Sequence, residues 1–84
     1  MGDLKGQVWL ITGASAGFGR ALSDEILDRG GMVIATARNP DTLKEIVAKA
    51  PDRVLATALD VARQDQIDAT IAAAKARFGR IDVL

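Results

Sequence analysis

The first chemical signal in this 84-residue chain comes from the glycines at positions 13, 17 and 19. They stand in the stretch Thr12-Gly13-Ala14-Ser15-Ala16-Gly17-Phe18-Gly19, directly after the apolar run Val8-Trp9-Leu10-Ile11 and at the start of a helical pattern. A strand, a glycine-rich turn and a helix in that order make a cradle for phosphate. The unpaired N–H groups of the first helical turn face the anion, and the helix dipole favours negative charge there. Gly13 allows a sharp turn off the strand end, where a positive φ is called for. Gly17 removes the Cβ that would stand between the helix and a pyrophosphate, and Gly19 lets the helix pack closely on the strand. The spacing, Gly-x-x-x-Gly-x-Gly, differs from the common dinucleotide fingerprint, and no Gly-Lys-Ser/Thr follows as in a Walker loop. Alone, such a triplet is a weak signal, and a plain turn that binds nothing is the commoner case. The strand before it, the helix after it and the later alternation of strands and helices favour phosphate.

Two further positions bear on what that phosphate belongs to. In dinucleotide folds the end of the second strand reads the adenine ribose: an acid there selects NAD, and a basic residue accommodates a 2′-phosphate. This chain has Thr36-Ala37-Arg38 at that point and no acid. A guanidinium makes paired, charge-assisted bonds to phosphate, so NADP(H) is favoured over NAD(H). The competing reading of Arg38 is a solvated side chain at the entry to the next helix. Asp60-Val61 closes the third apolar run; taken by itself, an Asp after a strand is more often a turn or cap residue.

The elements that position these residues follow from periodicity. Residues 8–11 and 32–37 are continuous apolar runs, suited to strands buried on both faces of a parallel sheet. Trp9 is read as a core or subunit-contact side chain, not a cofactor contact. A first helix is expected over about 17–29, with Phe18, Leu22 and Ile26 as its stripe, Ala21 widening it, and Ser23, Asp24 and Asp28 toward solvent. Gly30-Gly31 supplies a left-handed stop. Arg20, in the first turn, is better accounted for by solvation than by a phosphate contact. Asn39 is a good N-cap and Pro40 a good first residue for a second helix carrying Leu43, Ile46, Val47 and Ala50, ended by Pro51. A third strand is expected over 54–59. A third helix carries Ile67, Ile71, Ala74 and Phe78 and stops at Gly79, and a fourth strand begins over 81–84.

The resulting β-α-β-α-β-α-β order is an α/β, Rossmann-type parallel sheet, the N-terminal half of a doubly wound fold with strand order 3-2-1-4. The first two helices cover one face and the third the other. The fourth strand is left as an apolar edge, where further strands or self-association would cover it.

Composition narrows the chemistry. Hydrophobic residues make up 49% and charged residues 26%, ordinary for a globular domain, but a chain this short buries only about 60% of its unfolded surface. Acidic and basic residues balance at 11 each, which gives no support to a nucleic-acid or membrane partner. With no cysteine and no histidine, no disulfide and no metal site is expected, and the commonest general base is missing. No segment has the length of a secretion signal or a membrane span, so the expected compartment is the cytoplasm.

The motif Thr12-Gly13-x-x-x-Gly17-x-Gly19 resembles the cofactor motif of the short-chain dehydrogenase/reductases in their compact, single-domain form. The resemblance runs on through Arg38, Asp60-Val61 and Arg77-Phe78-Gly79-Arg80-Ile81-Asp82-Val83-Leu84. It implies an oxidoreductase interconverting an alcohol and a carbonyl by hydride transfer. The cofactor contacts it implies are Gly13, Ser15, Gly17, Phe18, Gly19, Arg38, Asp60 and Val61. Ser15 would donate to the 2′-phosphate beside Arg38, Phe18 would add loop contacts, Asp60 would accept from the adenine amino group, and the Val61 N–H would meet the ring. In that family catalysis uses a Tyr-x-x-x-Lys helix with a Ser and an Asn, and an Asn-Asn-Ala-Gly segment soon follows a sequence like Ile81-Asp82-Val83-Leu84. This chain has no Tyr, and Ser15, Ser23 and Lys75 stand in the wrong elements to substitute, so no catalytic residue is assigned. Residues 1–84 are therefore expected to be the NAD(P)-binding half of a Rossmann domain, a fragment truncated at strand 4 and inactive alone. A small alcohol or carbonyl substrate would be handled only by a full-length form. The alternative is a small non-catalytic nucleotide-binding or remnant half-domain.

Overall fold

A computed structural model describes residues 3–83. Strand β1 spans Val8–Ile11, helix α1 Gly17–Asp28 and strand β2 Met32–Ala37. A 3₁₀ turn, Pro40–Leu43, leads into helix α2, Lys44–Lys49, followed by strand β3, Val54–Ala58, and helix α3, Gln64–Phe78. The sheet is parallel, with β2 between β1 and β3. On the far side of β1 the Leu10 N–H donates to the Val83 carbonyl at 2.8 Å and Trp9 forms a parallel bridge with Val83. This gives the order expected from the sequence, 3-2-1-4. The expected fourth strand is a single bridge over the described residues, and its last position, Leu84, lies outside them.

Alternation along the strands sends side chains to two layers. Val33, Ala35, Ala37, Ile11 and Val54 pack with Ile26 and Leu27 of α1, Leu43 of the 3₁₀ turn and Ile46 of α2. Val8, Leu10 and Ile34 face Ala74 of α3, with Phe78 and Ile81 at the margin. The first two helices thus cover one face and the third the other, as expected. No helix among the described residues is long and apolar enough to cross a membrane.

The face that α1 buries differs from the expected stripe. Ser23 is fully buried with Ile26 and Leu27, while Phe18 is 81% exposed and Ala21 is exposed too. Ser23 is small, and its hydroxyl donates to the Gly19 carbonyl one turn back at 2.8 Å, so it is satisfied without water. Helix α1 ends in a Schellman motif: Gly31 N–H bonds the Ile26 carbonyl at 2.9 Å and Gly30 N–H that of Leu27 at 3.1 Å, with Gly30 at φ +88°. The second helix is split. Asn39 caps as expected, its Oδ1 accepting from Asp41 N–H at 3.1 Å, but Pro40 opens a 3₁₀ turn before the α-helix proper. Along α3, Thr70 and Ala74 are buried and Ile67, Ile71 and Phe78 only half-buried, so the expected apolar stripe sits at the rim of the layer.

At the entry to β1 the backbone is clamped by a side chain. The Val8 N–H donates to Asp82 Oδ2 at 2.8 Å, while Asp82 N–H returns a bond to the Val8 carbonyl at 2.9 Å. Arg80 pairs with the same carboxylate at 2.6 Å. The Arg80 guanidinium first, and the Val8 amide second, hold the Asp82 carboxyl below its ordinary range.

Candidate functional site

The glycine-rich loop is fixed to the sheet by one buried residue. Thr36, 1% exposed near the end of β2, donates its hydroxyl to the Ile11 carbonyl at 2.8 Å, and its own carbonyl accepts from Ala14 N–H at 2.9 Å. This stitch holds the turn over the C-terminal edge of the sheet. Gly13 and Gly17 have φ of +63° and +61°, and a Cβ on either would meet nothing within 4 Å. The loop therefore presents bare backbone to open space. Gly19 has another reason to lack a side chain, because a Cβ there would lie 2.5 Å from the Gly13 carbonyl oxygen.

Helix α1 starts without a cap. Ala16 at the N-cap offers no side-chain acceptor, and the first turn holds no acid. Its leading N–H groups and positive dipole end are left for an outside anion, which the open Gly17 position would admit. Backbone cradle, missing cap and missing acid together fit a dinucleotide pyrophosphate. Arg20 does not join this cradle: it pairs with Asp24 at 3.4 Å and with Glu45 of α2 at 3.3 Å.

A cleft of about 520 Å³ opens beside the loop, lined by Thr12, Gly13, Ser15, Ala37, Arg38, Asn39, Thr42, Leu59 and Val61. Four of the residues expected from sequence (Gly13, Ser15, Arg38 and Val61) meet there. No acid lines the cleft. Arg38 is exposed and, among the described residues, forms no ion pair or hydrogen bond. Thr12, Asn39 and Thr42 line the same cleft and add to the residues expected from the sequence. Thr42 was detectable only through the 3₁₀ turn, in which its hydroxyl donates to the Asn39 carbonyl at 2.7 Å, three residues back.

The other expected residues lie elsewhere. Phe18 and Gly19 line a neighbouring cleft of about 380 Å³ with Trp9, Leu10, Ile11, Thr12 and Leu22. Trp9, read as a core or contact side chain, is half-buried there. Gly17 lies at the start of α1 and lines neither cleft. Asp60 lies just past β3 and outside the cleft lining; its Oδ1 accepts from Ala62 N–H at 2.9 Å, the turn geometry that its residue type alone suggests. Val61, next to it, is 66% exposed. Among the described residues no group of three or more His, Cys, Asp or Glu converges as for a metal ion.

Residues 7–84 match the family described as short chain dehydrogenase. The fold superposes on a short-chain dehydrogenase from Streptomyces avermitilis with a TM-score of 0.86 and 46% identity, over 92% of this chain and 29% of that one. It superposes on a 3-ketoacyl-(acyl-carrier-protein) reductase from Brucella melitensis complexed with NADH with a TM-score of 0.89 and 32% identity, over 96% of this chain and 34% of that one. An NADP-dependent 3-hydroxy acid dehydrogenase from Shigella flexneri is 35% identical over 75 residues, 89% of this chain and 30% of its own length. The chain thus spans roughly a third of the length of the relatives it matches.

Proposed function

The chain belongs to the short-chain dehydrogenase family, and from that premise we propose that it forms the NADP(H)-binding part of an oxidoreductase that interconverts an alcohol and a carbonyl. The pyrophosphate would lie against the loop 13–19 and the uncapped start of α1. The 2′-phosphate would be taken by Arg38, with Ser15, which lines the same cleft, donating to it. Asp60 and the Val61 N–H would hold the adenine. When bound, the nicotinamide cofactor would supply the hydride in carbonyl reduction and accept it in alcohol oxidation; the residues of this chain would bind and orient its adenosine end.

The observation that carries the NADP(H) preference is Arg38 itself: exposed, on the wall of a cleft without an acid, and free of any competing protein partner among the described residues. An NAD-selecting site would place a carboxylate there. The S. flexneri relative is described as NADP-dependent and the B. melitensis one was solved with NADH, so the relatives leave the choice to the residue at this position. By the same resemblance the substrate would be a small alcohol or carbonyl compound handled by the full-length protein, and residues 1–84 would act as one nucleotide-binding unit that does not turn over alone; the proposed compartment, from the sequence's lack of a signal or spanning segment, is the cytoplasm.

The test is the ratio of NADPH to NADH affinity in the Arg38→Asp variant. Loss of NADPH binding with NADH binding kept or improved supports the reading. Equal weakening of both cofactors contradicts it.

A further inference from the structure

Asp60 and Val61 can read a base only if the turn that carries them is held still, and an amide side chain on the following helix holds it. The last ladder bond of β3 runs from Leu59 N–H to the Ala37 carbonyl at 2.9 Å. The next amide, that of Asp60, lies beyond the sheet and would be left without a partner. It donates instead to Gln66 Oε1 at 2.6 Å.

Gln66 is the third residue of α3, the position from which a Glu or Gln ordinarily folds back onto its own helix's N-cap amide. Here that N-cap amide, Arg63 N–H, already bonds the Asp60 carbonyl at 2.8 Å. Gln66 therefore reaches past its own cap to the strand end. Asp60 is fixed at three atoms: its N–H by Gln66, its carbonyl by Arg63 N–H, and its Oδ1 by Ala62 N–H. Among the described residues its Oδ2 has no partner. One carboxylate oxygen is thus locked in the turn and the other is left in a set direction.

We infer that Gln66 is a positioning residue for base recognition: by accepting the Asp60 amide it fixes the direction of the free carboxylate oxygen and so sets selectivity for a 6-amino purine. This rests on the reading that Asp60 meets the adenine amino group. A side chain serving only the stability of α3 would leave base selectivity untouched.

The test uses the full natural polypeptide and compares the dissociation constants of NADPH and its reduced hypoxanthine counterpart, in which a 6-oxo group replaces the amino group. Wild type should prefer the adenine form by about tenfold, the size of one charge-assisted bond. Gln66→Met, close in volume but without the acceptor, should bring that preference to within about twofold while keeping the NADPH/NADH ratio. Gln66→Glu, which restores an acceptor oxygen, should keep the preference. A Met variant with wild-type preference, alongside an Asp60→Asn variant that loses it, would overturn the inference and leave the adenine reading standing. An Asp60→Asn variant that keeps the preference would remove the adenine reading and the inference with it. Amide hydrogen exchange on wild type is an independent check: the Asp60 N–H should be strongly protected, and exchange at the rate of an open loop amide would refute the positioning role even if Gln66→Met does not fold.

Discussion

The Cβ that Gly19 lacks would stand 2.5 Å from the carbonyl oxygen of Gly13. The loop and the first turn of α1 are therefore packed backbone to backbone, and a methyl group at position 19 has no flexible neighbour to displace. Gly17 is a contrasting case, since its left-handed backbone faces open space. Gly19→Ala should cost about 1–3 kcal/mol of stability through overpacking and weaken cofactor binding by moving the loop. Gly17→Ala should cost about 1–2 kcal/mol through its positive φ, and its methyl would project into the cradle, so the loss of affinity should exceed the loss of stability. Thermal unfolding and NADPH titration on both variants check this. A Gly19→Ala protein as stable as wild type would refute the packing account.

Thr36 joins the loop to the sheet through both its hydroxyl and its carbonyl. Thr36→Val keeps the shape and removes only the donor, leaving the Ile11 carbonyl short of one buried bond. The expected cost is about 1–3 kcal/mol, with faster amide exchange at Ala14 as the loop loosens. Denaturant unfolding and exchange rates measure both, and an unchanged Ala14 rate would mean that the backbone bond alone holds the turn.

Much of this was legible in the sequence, for identifiable reasons. β1 and β2 lie where their apolar runs predict, because strands buried on both faces leave no polar alternation to misread. Gly13, Ser15 and Arg38 line one cleft because strand ends and the loop after β1 share one edge of a parallel sheet. The buried face of α1 departs from its hydrophobic stripe because hydrophobicity alone does not decide burial. Ser23 satisfies its hydroxyl on the preceding turn and goes inside, while Phe18 stays out beside the loop. The place of Thr42 on the cleft and the bond from the Asp60 N–H to Gln66 were not legible. Each depends on a local departure from regular helix, a 3₁₀ turn in one case and a capping side chain that reaches beyond its own helix in the other.

Asp82 gives a pH signature. Its folded carboxyl is held below its ordinary value of 3.8 by the Arg80 guanidinium and the Val8 amide. A depressed folded value means that its contribution to stability is fully present above about pH 4, near the unfolded value, and is lost as pH falls through the still lower folded value. Asp82→Asn should therefore be less stable than wild type at neutral pH by an amount that stays level down to about pH 4 and shrinks below it. Melting curves of the two proteins across that range check the sign; a difference that widened on acidification would contradict it.

Arg20 gives a prediction of no effect on binding. Its guanidinium is committed to Asp24 and Glu45 on partly exposed surface, where such pairs are worth about 0–1 kcal/mol. Arg20→Gln should lower stability by no more than that and leave NADPH affinity within about twofold of wild type. A tenfold loss of NADPH affinity at unchanged stability would return Arg20 to the phosphate site.

The central claim is that the cleft between the glycine loop and Arg38 takes a 2′-phosphorylated adenosine. The most direct measurement is a calorimetric titration of the wild-type protein with adenosine 2′,5′-bisphosphate and with adenosine 5′-monophosphate at one fixed salt concentration. The account predicts that the bisphosphate binds at least about tenfold more tightly, the equivalent of one charge-assisted contact, and that Arg38→Asp removes the difference. Equal affinity for the two ligands, or a preference for the monophosphate, would contradict it.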